Sequence, residues 1–226
     1  MPREAYKPTE RRPIASRERR ISQRLAAYLV ACRVSPKGIS IAGLLVGIAA
    51  GVMLGMTRCV DSDWLRRMLW FAAAIGIQLR LLANMLDGMV AVASGKASPL
   101  GELYNELPDR LSDMAILMGA GYATGGLPAL GYIAACVAIL TAYVRAVGKA
   151  AGVLNLFVGP MAKPQRMFVM TLVALLMTVF PRAWEPAWGV HQLGLAALGL
   201  AVVIVGGLAT VLRRLTLIVR HLKGQK

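Results

Sequence analysis

The sequence predicts an all-α membrane protein with six transmembrane helices, and three observations lead to this fold class. Hydrophobic residues occupy 57% of the 226 positions, and the mean hydropathy of +0.59 exceeds what the core of a soluble domain requires. Six apolar runs are each long enough for a helix to cross about 30 Å of hydrocarbon. Basic residues are concentrated ahead of the first run, as in proteins whose N-terminus stays in the cytoplasm.

The six apolar runs divide the chain into two predicted parts. They cover residues 39–57, 68–92, 110–126, 128–148, 166–181 and 192–212. We therefore expect a cytoplasmic basic tail with an interfacial helix over residues 1–38 and a six-helix membrane catalytic domain over residues 39–226. No linker to a second soluble domain is visible in the sequence.

The net charge of +15 reflects membrane topology rather than a nucleic-acid partner. Ten of the 26 Lys and Arg residues precede residue 39, and the predicted outer side holds four, which are Arg58, Arg66, Arg67 and Arg182. By the positive-inside rule, both termini are expected in the cytoplasm.

The N-terminal segment carries the pattern of an amphipathic helix. Apolar side chains share one helical face at Ile21, Leu25, Tyr28, Leu29 and Cys32. Basic side chains lie largely elsewhere, at Arg17, Arg19, Arg20 and Arg24. This pattern predicts a helix in the headgroup region whose arginines meet anionic lipid. The alternative is a solvated basic tail that only fixes topology.

Acidic and amide side chains lie in or next to the second and third apolar runs at helical spacing. Asn84 and Asp87 lie on one helical stripe, and Asn105, Asp109 and Asp113 lie on the next. A short polar connection makes these helices antiparallel neighbours, so the two stripes are expected to face each other. Burying an ionised Asp costs several kcal/mol without compensation, which indicates a site.

Carboxylate and amide oxygens are hard ligands that suit Mg²⁺, or alternatively Mn²⁺, better than zinc. Bound magnesium commonly neutralises charge on phosphates, and a membrane position favours a lipid substrate. The alternatives are a proton or cation pathway, or an ion-paired structural core that uses Arg80 and Arg110.

The spacing of these residues resembles the signature of the CDP-alcohol phosphatidyltransferase family, which is Asp-x-x-Asp-Gly-x-x-Ala-Arg, about eight residues, then Gly-x-x-x-Asp-x-x-x-Asp. The chain reads Asn84-x-x-Asp87-Gly88-x-x-Ala91-Val92, eight residues, then Gly101-x-x-x-Asn105-x-x-x-Asp109. Every interval is kept, and the segment from Ser35 to Ser40 is similar to the segment that precedes the family's first span. Asn84, Asn105 and Val92 replace two acids and the arginine, which resembles a divergent bacterial branch.

The resemblance implies roles for individual residues. Metal ligands are expected at Asp87, Asp109 and Asp113, with Asn84 and Asn105 as auxiliary ligands. Asp109 is the catalytic base by position, and Asp113 is the alternative base. The CDP moiety is expected to bind at Gly88, Ala91, Gly101 and Ser40. The resemblance also implies a homodimer in the bacterial inner membrane, with the active site on the cytoplasmic side.

Basic residues near the inner ends of the fourth and fifth runs are candidates for binding the acceptor. Arg145, Lys163 and Arg166 are expected to hold a sugar phosphate or glycerol phosphate by charge-assisted hydrogen bonds. The alternative is that these residues serve only the positive-inside distribution.

The expected function is phospholipid synthesis. The enzyme would move a phosphatidyl group from a CDP-activated lipid, CDP-diacylglycerol above all, to a small polar alcohol and release CMP, with Mg²⁺ as cofactor. The substitutions at Asn84, Asn105 and Val92 favour one alternative, an inactive CDP-lipid-binding scaffold. A cation or proton transporter is the second alternative.

Overall fold

The fold is known from a computed structural model, which describes residues 20–96, 98–153, 156–181, 188–189 and 192–224. These residues contain seven α-helices: α1 (Arg20–Ala31), α2 (Pro36–Met56), α3 (Asp63–Ala93), α4 (Pro99–Tyr122), α5 (Pro128–Ala150), α6 (Lys163–Val179) and α7 (Leu195–Gly224). A 3₁₀ turn at Thr57–Cys59 follows α2. Within the described ranges, β-structure is limited to one antiparallel bridge between Trp188 and Leu193. The predicted all-α class is confirmed.

Each of the six apolar runs corresponds to one helix from α2 to α7. Four of these helices, α2 with its following turn, α3, α5 and α7, are long and apolar enough to cross a membrane. Helix α6 has only 17 residues, and α4 contains Pro108 and the acidic residues. Six crossings therefore remain a prediction for α4 and α6, whereas a membrane protein with four candidate spans is established.

The start of α4 lies well before the third apolar run, and the end of α7 lies well after the sixth run. The third run was predicted over residues 110–126, whereas α4 begins at Pro99 and ends at Tyr122. Its early start lies outside the apolar run because its first turns carry acidic and amide residues. The chain leaves the helix at Ala123, whose backbone is extended, and Gly125 in the following turn has a φ of +69°, which suits a residue without a side chain.

Serine caps and prolines fix the starts of the helices that build the site. The Ser35 hydroxyl accepts a hydrogen bond from the Gly38 amide at 3.0 Å before Pro36 opens α2. The Ser98 hydroxyl accepts one from the Gly101 amide at 3.0 Å before Pro99 opens α4. A capping serine followed by proline at the first position stabilises a helix N-terminus.

Helices α2 and α4 pack with their backbones nearly touching. A Cβ atom on Gly119 would overlap the backbone of Gly51, and one on Gly51 would overlap the backbone of Ala115. The apolar core lies around this pair and includes Leu54 and Trp70, both fully buried. The close approach brings the first turns of α2 and α4 to the same end of the bundle.

Helix α1 uses only part of its predicted apolar face for packing. Leu25 and Leu29 lie against a cluster that contains Leu86 and Val90 of α3. Ile21 and Tyr28 on the same helix are 77% and 65% exposed. The interfacial position of α1 remains a prediction, and Arg17 and Arg19 of the predicted helix lie outside the described residues.

Candidate active site

The two predicted polar stripes meet between α3 and α4. The Asn84 side-chain amide of α3 donates to the Asn105 side-chain oxygen of α4 at 3.1 Å. The same amide also donates to the carboxylate of Asp109. One amide group therefore joins Asn84 to two residues that follow it by 21 and 25 positions in the chain.

The Asp87 carboxylate is 3% exposed and is held from two sides. The Ser40 hydroxyl of α2 donates to its Oδ2 at 2.7 Å, and the Gly88 amide donates to its Oδ1 at 2.5 Å. Ser40 and Gly88, both expected near CDP, thus contact the same carboxylate.

The Asp109 carboxylate receives three donors from two helices. Besides the Asn84 amide, the Lys163 ammonium of α6 donates to its Oδ2, and Arg80 of α3 lies 3.2 Å from its Oδ1. Its side chain remains 16% exposed. Asp109 is therefore oriented by the fold while part of its carboxylate stays open.

Asp113 lies one turn deeper than Asp109 and is held between two arginines. Its Oδ1 is 2.6 Å from the Arg80 guanidinium and its Oδ2 is 3.2 Å from that of Arg166. Its side chain is 2% exposed. Its predicted roles as a metal ligand and alternative base remain predictions.

The donor set fits one hard divalent cation. Among the described residues, no three His, Cys, Asp or Glu side chains form a group that could hold a metal on their own. The carboxylates on offer are Asp87 and Asp109, supplemented by the side-chain oxygens of Asn84 and Asn105. Mg²⁺ is commonly bound by one or two carboxylates, with water and substrate phosphate completing its octahedron. Residues of this type fit Mg²⁺ or Mn²⁺ in that manner.

Lys37 and Tyr104 lie beside this polar cluster, at the starts of α2 and α4. The Lys37 ammonium lies 4.2 Å from the centroid of the Tyr104 ring, within the range of a cation–π contact. Gly101 lies one turn before Tyr104, and a Cβ atom there would come within 3.2 Å of the Ser98 hydroxyl. Ala91, also expected near CDP, is partly exposed on α3.

The three residues predicted to bind the acceptor are each engaged by an acid. Arg145 of α5 donates to Glu106 at 2.6 Å and lies 5.5 Å from the Phe157 ring. Lys163 contacts Asp109, and Arg166 is buried against Asp113. These cations therefore run from the rim of the site into its interior instead of lining one open pocket.

Glu106 at the rim is paired with two arginines. Partial burial raises the pKa of the Glu106 carboxyl, but Arg110 and Arg145 outweigh burial and hold the pKa below its usual value. The ionised form therefore persists, and Arg145 has an anionic partner at neutral pH.

Three residues that support the site were not singled out by sequence reasoning. Ser112 accepts from Arg80 at 2.7 Å, Thr141 accepts from Arg166 at 2.8 Å, and Arg214 donates to the Thr141 carbonyl at 2.6 Å. Their signal in the sequence is a polar residue inside an apolar helix, which is weak for Ser and Thr because both also bond within their own helix.

Two relatives align with most of the chain. A phosphatidylinositol phosphate synthase of Mycolicibacterium smegmatis is 30% identical over 174 residues, which cover 70% of this chain and 75% of that protein. A protein of the same name from Cutibacterium acnes is 28% identical over 203 residues, which cover 87% of this chain and 91% of that protein. No protein-family model matches the chain.

Solved structures of a phosphatidylinositol phosphate synthase from Mycobacterium tuberculosis share the fold. The structure with CDP-DAG bound superposes with a TM-score of 0.70 at 22% identity, covering 88% of this chain and 94% of that one. The structure in complex with manganese and citrate gives a TM-score of 0.68, covering 87% of this chain and 88% of that one.

Proposed function

Because the chain belongs to the CDP-alcohol phosphatidyltransferase family, we propose that it transfers a phosphatidyl group from CDP-diacylglycerol to a small polar alcohol and releases CMP. The observation that carries this proposal is the pair of hydrogen bonds from Asn84 to Asn105 and Asp109. Asp87 follows Asn84 by one turn on α3, and these four residues stand at the acidic positions of the family's signature. The binding of CDP-DAG by the tuberculosis protein supports the lipid substrate.

The proposed cofactor is Mg²⁺ or Mn²⁺, and manganese binding by the tuberculosis protein supports a divalent ion. Asp87 and Asp109 would hold it, with Asn84 and Asn105 as auxiliary oxygen donors. When bound, the ion would neutralise the diphosphate and the charge that develops on departing CMP. The ion pairs of Asp113 favour a different role for that residue.

Asp109 is the proposed base because its carboxylate is partly open whereas Asp113 is closed. It would take the proton of the acceptor hydroxyl as the oxygen attacks the phosphatidyl phosphorus and the bond from that phosphorus to CMP breaks. Asn84, Lys163 and Arg80 hold Asp109 in place, so catalysis would depend on alignment and electrostatics. Ser40, Gly88, Ala91 and Gly101 would line the CDP site.

The proposed acceptor is a phosphorylated polyol. The relatives are named phosphatidylinositol phosphate synthases. Two cations pair with acidic side chains of α4, Arg145 with Glu106 and Lys163 with Asp109. An incoming phosphate would replace Glu106 as the partner of Arg145 and extend toward Lys163. Arg166 lies behind them, so its predicted contact with the acceptor would be indirect.

The proposed setting is the bacterial inner membrane with both termini and the site facing the cytoplasm. Six crossings would require α4 and α6 to span with the four helices that meet the length and composition criteria. A homodimer is proposed from family membership. The basic residues around α1 support the same orientation.

The experiment that tests the function uses purified protein, CDP-diacylglycerol, Mg²⁺ and a panel of acceptors that includes inositol phosphate, glycerol phosphate and unphosphorylated inositol. We expect a new phospholipid only with a phosphorylated acceptor. Arg145→Gln should raise the acceptor KM by about tenfold with little change in kcat, because a charge-assisted hydrogen bond is lost. Arg213→Gln, an exposed arginine of α7, is the matched control. A product formed equally from unphosphorylated inositol would contradict the acceptor class.

A catalytically inactive CDP-lipid-binding scaffold is the second candidate, and one observation favours it. Lys163 and Arg80 neutralise the Asp109 carboxylate. The neighbouring side chains of Asn84 and Asn105 add no negative charge to the site. Retained CDP-diacylglycerol binding with no new phospholipid from any acceptor would establish the scaffold.

A further inference from the structure

A buried cluster of Arg80, Asp113 and Arg166 lies directly beneath the proposed base. Both arginines and the aspartate have side chains that are no more than 2% exposed. The Asp113 oxygens lie 2.6 Å from Arg80 and 3.2 Å from Arg166, so one carboxylate compensates two guanidinium groups. A buried ion pair of this kind costs much when one partner is removed, because the other charge stays buried.

The cluster has no open side from which substrate would reach Asp113. One Asp113 oxygen faces α3 and the other faces α6, and each lies within ion-pair distance of a guanidinium. Asp109, one turn earlier on α4, is exposed by 16%. The geometry thus separates two carboxylates that share one face of α4.

Arg80 of this cluster also contacts the proposed base and a residue next to it. Arg80 donates to the backbone oxygen of Asp109 at 2.5 Å and to the Ser112 hydroxyl at 2.7 Å. It also lies 3.2 Å from the Asp109 carboxylate. Arg80 therefore connects Asp113 to the backbone and the side chain of Asp109.

Arg166 extends the cluster to the helix that supplies Lys163. Lys163 is the first residue of α6, and Arg166 follows within the same turn. Arg166 donates to the Thr141 hydroxyl at 2.8 Å. Arg214 donates to the Thr141 carbonyl at 2.6 Å and to the Val158 carbonyl at 3.0 Å. The start of α6 and the loop before it are thereby tied to Asp113.

We propose that Asp113 is a positioning residue, which holds Asp109 and Lys163 in register through Arg80 and Arg166 and neither binds the metal nor accepts a proton. This inference rests on the proposed function for the role of Asp109. It replaces the two roles that sequence spacing suggests for Asp113.

Charge rescue distinguishes a positioning residue from a base or a ligand. Asp113→Asn leaves the buried guanidinium of Arg166 without its anion and that of Arg80 with only Asp109, and should lower kcat by about thirtyfold or more. Adding Arg166→Gln removes the surplus charge while Arg80 keeps Asp109 as its partner. The double variant should recover at least about tenfold of the lost kcat, and its affinity for Mn²⁺ alone should recover in parallel.

Leu117→Ala is the matched control for stability. Leu117 is fully buried on α4 one turn beyond Asp113 and makes no ion pair. This variant should lower the unfolding midpoint while kcat stays within about twofold of wild type, as expected of a core cavity away from the site.

The inference is overturned if the folded double variant is no more active than Asp113→Asn while wild type is active. That result is the one required of a base or a ligand, since neither function returns when a partner is deleted. If wild type releases no CMP, the proposed function fails separately. In that case the Mn²⁺ affinity decides the inference. Recovery of this affinity in the double variant supports the positioning role of Asp113, and no recovery overturns it.

Discussion

At the scale of single residues, Ser40 determines how the Asp87 carboxylate is presented. Its hydroxyl donates to Asp87 at 2.7 Å across the interface of α2 and α3. Ser40→Ala removes one of two fixed donors without altering the fold. We expect Mn²⁺ affinity to fall by about tenfold, since groups that orient a metal ligand commonly contribute that much.

A titration of Mn²⁺ against purified protein measures this effect. Thr178→Ala is the control, because the Thr178 hydroxyl also donates within a helix, to the Ala174 carbonyl, away from the site. Equal affinities in the two variants would show that Ser40 does not orient Asp87 for a metal.

Asn84 replaces an acid of the family signature and donates to two oxygens. Its amide bridges Asn105 and Asp109, so Asn84→Asp removes two hydrogen bonds and adds a charge beside Asp109. Repulsion between carboxylates should lower the unfolding midpoint without metal, and the extra anionic ligand should tighten Mn²⁺ binding.

In Asn84→Asp, we expect the unfolding midpoint without metal to fall and the affinity for Mn²⁺ to rise. Thermal unfolding with and without Mn²⁺ measures both, and Asn84→Ala serves as the neutral control. A variant that binds Mn²⁺ no better than wild type would place Asn84 outside the metal site.

At the scale of helices, the contact between α2 and α4 sets the separation of Ser40 from the Asn105 stripe. Gly51 has no room for a Cβ atom, because one would overlap the Ala115 backbone. Gly51→Ala should therefore separate the helices and destabilise the protein by about 1–3 kcal/mol, as overpacking does.

Gly55→Ala is the matched control on the same helix, one turn later. A Cβ atom there would lie 3.6 Å from the Tyr122 Cβ atom, an ordinary contact. Thermal unfolding should show a loss for Gly51→Ala and little change or a gain for Gly55→Ala. Equal midpoints would contradict the role assigned to the close approach.

At the scale of the whole molecule, three exposed free cysteines report the topology. Cys32 lies between α1 and α2, Cys59 follows α2 at the opposite end, and Cys136 lies within α5. A membrane-impermeant maleimide should label Cys59 in spheroplasts and reach Cys32 only after lysis, because both termini are placed in the cytoplasm.

Single-cysteine variants make this measurement specific, and Cys136 is the internal control because a thiol in lipid reacts slowly. Labelling of Cys32 without lysis would reverse the proposed orientation.

The six helices that build the bundle were predictable because hydrophobic length is a local property. Their starts at Pro36 and Pro99 also follow from short motifs, the Ser-Pro-x-Gly segments that cap α2 and α4. The facing of Asn84 and Asn105 was predictable from helical spacing and a short connection. Each of these features depends on residues close together in the chain.

The partners of the acidic residues were not predictable in the same way. Lys163 reaches Asp109 across 54 positions, and Arg166 reaches Asp113 across 53. Spacing shows that Asp109 and Asp113 share a helical face, but burial and tertiary ion pairs distinguish them. The sequence therefore predicts an acceptor site at the basic loop. In the fold, two of its cations, Lys163 and Arg166, contact these carboxylates.

The most direct measurement of the central claim is CMP release by purified wild type and Asp109→Asn with CDP-diacylglycerol, with and without Mg²⁺, in the presence of a phosphorylated polyol. We expect CMP only from wild type and only when metal, lipid and acceptor are all present. Wild type that binds CDP-diacylglycerol but releases no CMP, or Asp109→Asn with full activity, would contradict it.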